Sequence, residues 1–250
     1  MPAPPSRSAA LAPPAEAAGS AIARQRPGWL GEVRVIFAKD LRIELRTGEV
    51  VTTAAFFAGL IVVIASFALS GSASRFLVAA GVIWLSMAFA AVLALGRAWQ
   101  REREEGALDG LLVTPVSRSA IFAGKALGLA VFLVVVEIVV IPLTALLFAL
   151  DLPPIALGLL AIVAVATPGI AATGTLFGAM TVRTRARDLI LAVVLFPLLA
   201  PTLLMAVAAT RELFAGVPLG ELFDYFKLMG VFDVVFVSGG LALFGTLIES

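Results

Sequence analysis

The chain has 250 residues, 61% of them hydrophobic and 14% charged, with a net charge of +1. Ordinary soluble domains carry about 25% charged residues, and a water-soluble domain of this length cannot hide so much apolar surface. Disorder of the bulk is excluded too, because it needs low hydrophobicity and high charge. What remains is an all-α integral membrane protein.

The near-zero charge balance leaves no electrostatic footprint for a nucleic-acid partner. Cys and His are both missing, which removes thiolate chemistry and the commonest metal ligand and general base. Haem iron is usually held by His, Cys, Met or Tyr. With only five Met and the single Tyr225 left, the chain alone is expected to bind no haem, no other cofactor and no metal, and it shows no catalytic constellation.

Residues 1–28 are rich in Pro, Ala and Ser, and Pro13, Pro14 and Glu16 interrupt any signal-peptide core, so a disordered N-terminal tail is expected. Over 29–48, Trp29, Val33, Phe37 and Leu41 recur at i+4 with Ile36 beside them, while Arg34, Lys39, Asp40, Arg42, Glu44 and Arg46 largely avoid that stripe. This pattern predicts an amphipathic helix in the membrane interface, with Trp29 at headgroup level and a helix break at Thr47-Gly48. A cytoplasmic extension of the first spanning helix is the other reading.

Six apolar stretches follow, at 50–69, 76–96, 126–150, 155–182, 189–209 and 228–248. About 20 residues cross a bilayer core of roughly 30 Å, so 49–250 reads as a six-helix transmembrane domain. Fifteen Lys and Arg fall on one side of this topology and three on the other. The positive-inside rule then puts both termini in the cytoplasm. No inverted 3+3 repeat is visible.

The largest cytoplasmic loop is 97–125. A short helix is expected over 100–113, stopping before Pro115, since the residue preceding Pro avoids helical geometry. Leu108, Leu111 and Leu112 form an apolar patch there, rimmed by Glu102, Glu104, Glu105 and Asp109. Such a helix suits docking into a groove on a cytoplasmic partner, or covering the end of the bundle. A P-loop is absent, because Gly124-Lys125 is followed by Ala126 and no Gly precedes it at the required spacing. ATP-driven work would therefore enter through a separate subunit.

Within the spans, Glu137 and Asp233 are costly charges without a Lys or Arg in a span to pair with. They read as elements of a polar pathway or as helix-packing contacts. Thr167-Pro168-Gly169 predicts a kink or a broken helix, and Gly174-x-x-x-Gly178 permits close helix approach. Pro197 and Pro201 share one face of the fifth span. In the outer loop 210–227, residues 219–226 are expected to form at most a short surface helix.

Three stretches carry a family resemblance. They are Ala80-Gly-Val-Ile-Trp84 through Leu93-Ala-Leu95 to Arg97, Glu105-Gly-Ala-Leu-Asp-Gly-Leu-Leu-Val-Thr-Pro115 ending in Gly124-Lys125, and Thr167-Pro168-Gly169 through Phe196-Pro197 to Pro201-Thr202. With them the chain resembles, over roughly 30–248, the haem exporter protein B family, the membrane permease subunit of the cytochrome c maturation ABC transporter. Gly96 departs from the family pattern, which often has an acid before Arg97, and the Pro-rich tail is not part of it. The resemblance implies a permease in the bacterial inner membrane and a cytoplasmic ABC ATPase subunit that supplies ATP hydrolysis. It also implies a second permease copy or other maturation membrane subunits, a periplasmic haem chaperone, and haem as cargo. Loop residues Glu104, Glu105, Leu108, Asp109, Leu111, Leu112 and Pro115 are then the coupling element. Glu137, Thr167, Pro168, Gly169, Pro197, Pro201 and Asp233 are the polar or hinge positions. A permease for a lipid, glycan or drug, and a proton-driven secondary transporter using Glu137 and Asp233, stay open.

Overall fold

A computed structural model of the chain describes residues 28–69, 75–104, 110, 114–181 and 187–249. The N-terminal tail and most of the 105–113 segment lie outside that set. Among the described residues seven α-helices of more than one residue follow one another, and no strand occurs. They are α1 (Trp29–Thr47), α2 (Glu49–Ala68), α3 (Arg75–Glu104), α4 (Arg118–Phe148), α5 (Ala156–Thr181), α6 (Arg187–Phe214) and α7 (Phe223–Glu249). Helices α2 to α7 are each long and apolar enough to cross a bilayer, with mean hydropathy between 2.0 and 2.8.

The break after α1 falls at Gly48. Its φ of 63° is left-handed, a conformation that glycine adopts without a Cβ penalty. Its N–H donates to the Glu44 carbonyl at 2.7 Å, closing α1, and α2 starts at the next residue.

Helix α5 is one of two hubs, packed against α3, α4, α6 and α7; the other, α4, meets α1, α2, α3, α5 and α7. Small residues explain the position of α5. In lipid, apolar burial does not drive helices together, so close backbone approach through Gly, Ala and Thr does much of the work. Gly174 and Gly178 of α5 receive Leu95 and Trp99 of α3, one turn apart on each helix, and a Cβ on Gly178 would overlap the Trp99 indole. Elsewhere in the core Ile83, Trp84, Met87, Phe122, Leu133, Ile162 and Phe244 are fully buried. The one polar atom of Trp84 is satisfied by donating to Thr210 Oγ1 at 2.9 Å, tying α3 to α6.

Several helices outrun their apolar stretches. Helix α3 continues to Glu104, so 100–104 is the last turn of a spanning helix and not the start of a separate one. Helix α4 begins at Arg118, eight residues before its apolar run, with Ser117 as N-cap. Helix α6 continues to Phe214, and Thr210 within it is buried under Trp84 and bonds back to the Ala206 carbonyl at 2.7 Å. The loop expected at 210–227 is correspondingly short, and the surface helix expected at 219–226 is a 3-10 turn, Leu219–Leu222, that runs into α7.

The prolines break no helix. Pro142, Pro168, Pro197 and Pro201 all sit inside continuous helices. Of the kink or broken helix expected at Thr167-Pro168-Gly169, the break does not occur. The Pro168 ring faces outward, while Thr167 and Gly169 on either side are buried in contacts that hold the turn.

Candidate functional site

Polar side chains gather where α1 meets the adjoining ends of α3 and α4. Four charged residues meet there. Glu102 of α3 accepts hydrogen bonds on one carboxylate oxygen from Lys39 of α1 and Lys125 of α4, each at 2.7 Å. Asp40 pairs with Lys39 at 3.0 Å and lies 3.6 Å from Lys125. The group carries two positive and two negative charges, so burial costs are offset inside the cluster. The Lys125 ammonium also lies 5.1 Å from the centre of the Trp99 ring, within cation–π range. Asp40, Trp99 and Lys125 line one cleft with Leu129, Phe132 and Thr175.

Burial alone would raise the Glu102 carboxyl, but the ammonium groups of Lys125 and Lys39 outweigh it and hold it below the usual carboxylate range. Burial likewise opposes the charge on Lys39, and Asp40 and Glu102 overcome it, so Lys39 is pushed up. Both stay ionised near neutrality.

The acids of α1 reach further helix ends. Glu32 accepts from the Ser117 backbone N–H at 3.0 Å and from its hydroxyl at 2.7 Å, at the start of α4. Glu44 accepts from the Val51 N–H at 2.8 Å, satisfying one of the orphan donors of α2. Trp29 donates its indole N–H to Ser119 at 3.0 Å. Val33 and Ile36 are buried, and Ile36 sits where a Cβ on Gly124 of α4 would be. The inward line of α1 is thus Glu32, Ile36, Asp40 and Glu44, each four residues from the last. It is rotated from the Trp29–Val33–Phe37–Leu41 stripe drawn from the sequence. Arg97, which lacks a preceding acid, pairs with Glu49 at the start of α2 at 3.1 Å.

Of the expected loop residues, Glu105, Leu108, Asp109, Leu111 and Leu112 lie outside the described residues. Glu104 ends α3, and Pro115 is exposed two residues before the α4 cap. Glu102, expected on the rim of the leucine patch, is instead buried against Lys39 and Lys125, because two ammonium groups repay its desolvation where open solvent is not needed.

Inside the membrane, Thr167 donates to Glu137 at 2.7 Å, linking α5 to α4. Asp233 of α7 packs against the bare Cα of Gly169, where any side chain would collide with it. Thr167 and Gly169 are two residues apart on one helix and face nearly opposite ways. Glu137 and Asp233 therefore lie on opposite flanks of α5. One oxygen of each finds no hydrogen-bond partner among the described residues. Pro197 is exposed and Pro201 half-buried, and the neighbouring Phe196 ring meets Phe89 edge-on at 5.4 Å.

The sequence reading missed the cluster of Lys39, Asp40, Glu102 and Lys125. The available signal was Lys125 itself, a lysine one residue before a 25-residue apolar run, which needs a carboxylate nearby if it is buried.

Six apolar helices, a hub of small residues and a charge cluster at one end of the bundle define an all-helical, multi-pass membrane protein. The family model described as CcmB protein matches residues 32–244. The chain belongs to that family. It is 29% identical over 182 residues to heme exporter protein B of Rhodobacter capsulatus, covering 72% of this chain and 83% of the relative. It is 29% identical over 183 residues to heme exporter protein B of Bradyrhizobium diazoefficiens, covering 72% and 82%. To heme exporter protein B of Pseudomonas aeruginosa it is 27% identical over 188 residues, covering 74% and 82%.

Proposed function

We propose that this chain is the membrane permease subunit of an ABC transporter acting in cytochrome c maturation, and that haem export is the process it serves. Its part is either passage of haem or ATP-driven release of a haem-loaded chaperone. It sits in the bacterial inner membrane with both termini in the cytoplasm, and ATP hydrolysis belongs to a cytoplasmic partner. The relatives' shared name supports the cargo class. The observation that carries the coupling role is the tie at the base of the 105–117 segment. Glu102 on one stem and Lys125 on the other share one hydrogen-bonded carboxylate oxygen with Lys39 of α1. A partner pressing on that segment through Leu108, Leu111 and Leu112 acts on two spanning helices and α1 together.

Purification in mild detergent tests the reading. An ATP-binding subunit and haem-handling proteins are expected to accompany the chain. Leu111→Asp is expected to leave membrane insertion intact while cytochrome c maturation fails. Unchanged co-purification and intact maturation in that variant would overturn the coupling role. Maturation that survives loss of the ATPase but fails in Glu137→Gln would instead favour a proton-driven carrier.

A further inference from the structure

The outward side of α1 is built differently from its inward side. All three of its acids, Glu32, Asp40 and Glu44, turn towards the bundle and bond to other helices. Arg34, Arg42 and Arg46 are exposed, share one face at multiples of four residues, and make no hydrogen bond or ion pair with a described residue. Leu30, Val35 and Leu45 flank them and are 75%, 60% and 79% exposed. The helix therefore sorts its charges, and the face it presents is cationic and greasy.

Its height relative to the bilayer follows from its ties. One residue, Gly48, separates α1 from the first spanning helix. Midway along α1, Lys39 bonds to Glu102, two residues past the apolar stretch Phe76–Gln100. At 1.5 Å per residue that is about 3 Å of helix rise beyond the span. Near the other end, Glu32 bonds to the residue that caps α4. The second half of α1 is thus held at the level where spanning helices emerge, and its first half runs beside the part of α4 that extends beyond the apolar run 126–150. Arginines interleaved with aliphatic side chains at that level match a layer of anionic headgroups over acyl chains.

We propose that Arg34, Arg42 and Arg46, with Leu30, Val35 and Leu45, form a docking surface for anionic phospholipid headgroups of the adjoining leaflet. An acidic protein surface would need the guanidinium groups but would leave no use for three aliphatic side chains at headgroup depth. The inference is independent of cargo and of the ATPase.

The chain lacks cysteine, so Val35→Cys places a single nitroxide on this face. The full-length protein is placed in nanodiscs of phosphatidylcholine, with or without phosphatidylglycerol, and access of a water-soluble nickel chelate to the label is measured. Access is expected to drop when phosphatidylglycerol is present and to recover at high salt. Arg34→Gln, Arg42→Gln and Arg46→Gln should each weaken the preference for the anionic lipid roughly fivefold. Lysine at the same three positions should retain it. Access that is equal in both lipids, or a drop that survives both high salt and the three Gln substitutions together, overturns the proposal. So does protection that appears only when purified ATPase subunit is added, since that assigns the face to a protein.

Discussion

Two groups of acids in this molecule, wholly or partly buried, are handled in opposite ways. At the end of the bundle, Glu102 meets two ammonium groups on one oxygen and stays charged. Inside the bilayer, Glu137 has a threonine hydroxyl, and Asp233 has a glycine Cα and no ion pair among the described residues. Pairing permits a buried charge where lysines reach Glu102 of α3 from two other helices, α1 and α4. In the apolar interior no Lys or Arg pairs with these acids among the described residues; Glu137 bonds to Thr167 on one flank of α5, and Asp233 packs on Gly169 on the other. The first arrangement fixes helix ends relative to one another. The second sets how closely α4 and α7 approach α5.

The largest expected effect comes from unbalancing the charged group. Lys125→Met leaves Glu102 with Lys39 alone and removes the cation over Trp99, at a cost of about 3–5 kcal/mol. Thermal unfolding in detergent should show it. Glu102→Gln combined with Lys125→Met should recover most of the loss, because neither charge is then stranded. Failure of that rescue would show that packing, and not charge balance, holds the site.

A smaller effect is expected in α5. Gly169→Ala drives a methyl into the Asp233 carboxylate and should cost about 1–3 kcal/mol. Adding Asp233→Ala should relieve it, and additive losses in the double-mutant cycle would refute the contact.

The acid side of the stability profile separates the two regions further. The folded Glu102 carboxyl lies below its ordinary value of 4.5. Its contribution is therefore full above that value and is lost as pH falls through the lower folded value. Lys39, raised above 10.5, contributes fully below that value and loses its contribution as pH climbs through the folded one. Glu102→Gln should flatten the acid-side loss in a pH series of unfolding midpoints. An unchanged acid limb would remove Glu102 from the account.

The smallest change is expected from Thr167→Val, which removes one neutral-donor hydrogen bond from Glu137 and should cost about 1 kcal/mol. A loss as large as that of Lys125→Met would erase the distinction between the two regions.

The architecture was legible because it rests on local signals. Runs of apolar residues announce spans whatever surrounds them, and Gly48 announces a break by its backbone freedom alone. Helix ends were less legible, because 97–104, 118–125 and 210–214 are polar enough to resemble loops and are helical through bonds to distant residues. The Glu102 cluster was illegible for the same reason. Its members sit at 39, 40, 102 and 125, and nothing in their spacing shows that three separate helices converge. The intramembrane acids stood out as anomalies of composition, but their separation across α5 depends on the two-residue offset between Thr167 and Gly169, which has meaning only once the helix is known to be unbroken.

The joint at Gly48 has a mechanical consequence. The turn is a single residue long, and Glu44 on one side grips the Val51 amide on the other. Opening this elbow would break the Glu44–Val51 bond, so the direction of α1 and that of the first span are tied by one residue of backbone and one hydrogen bond, both outside the apolar interior.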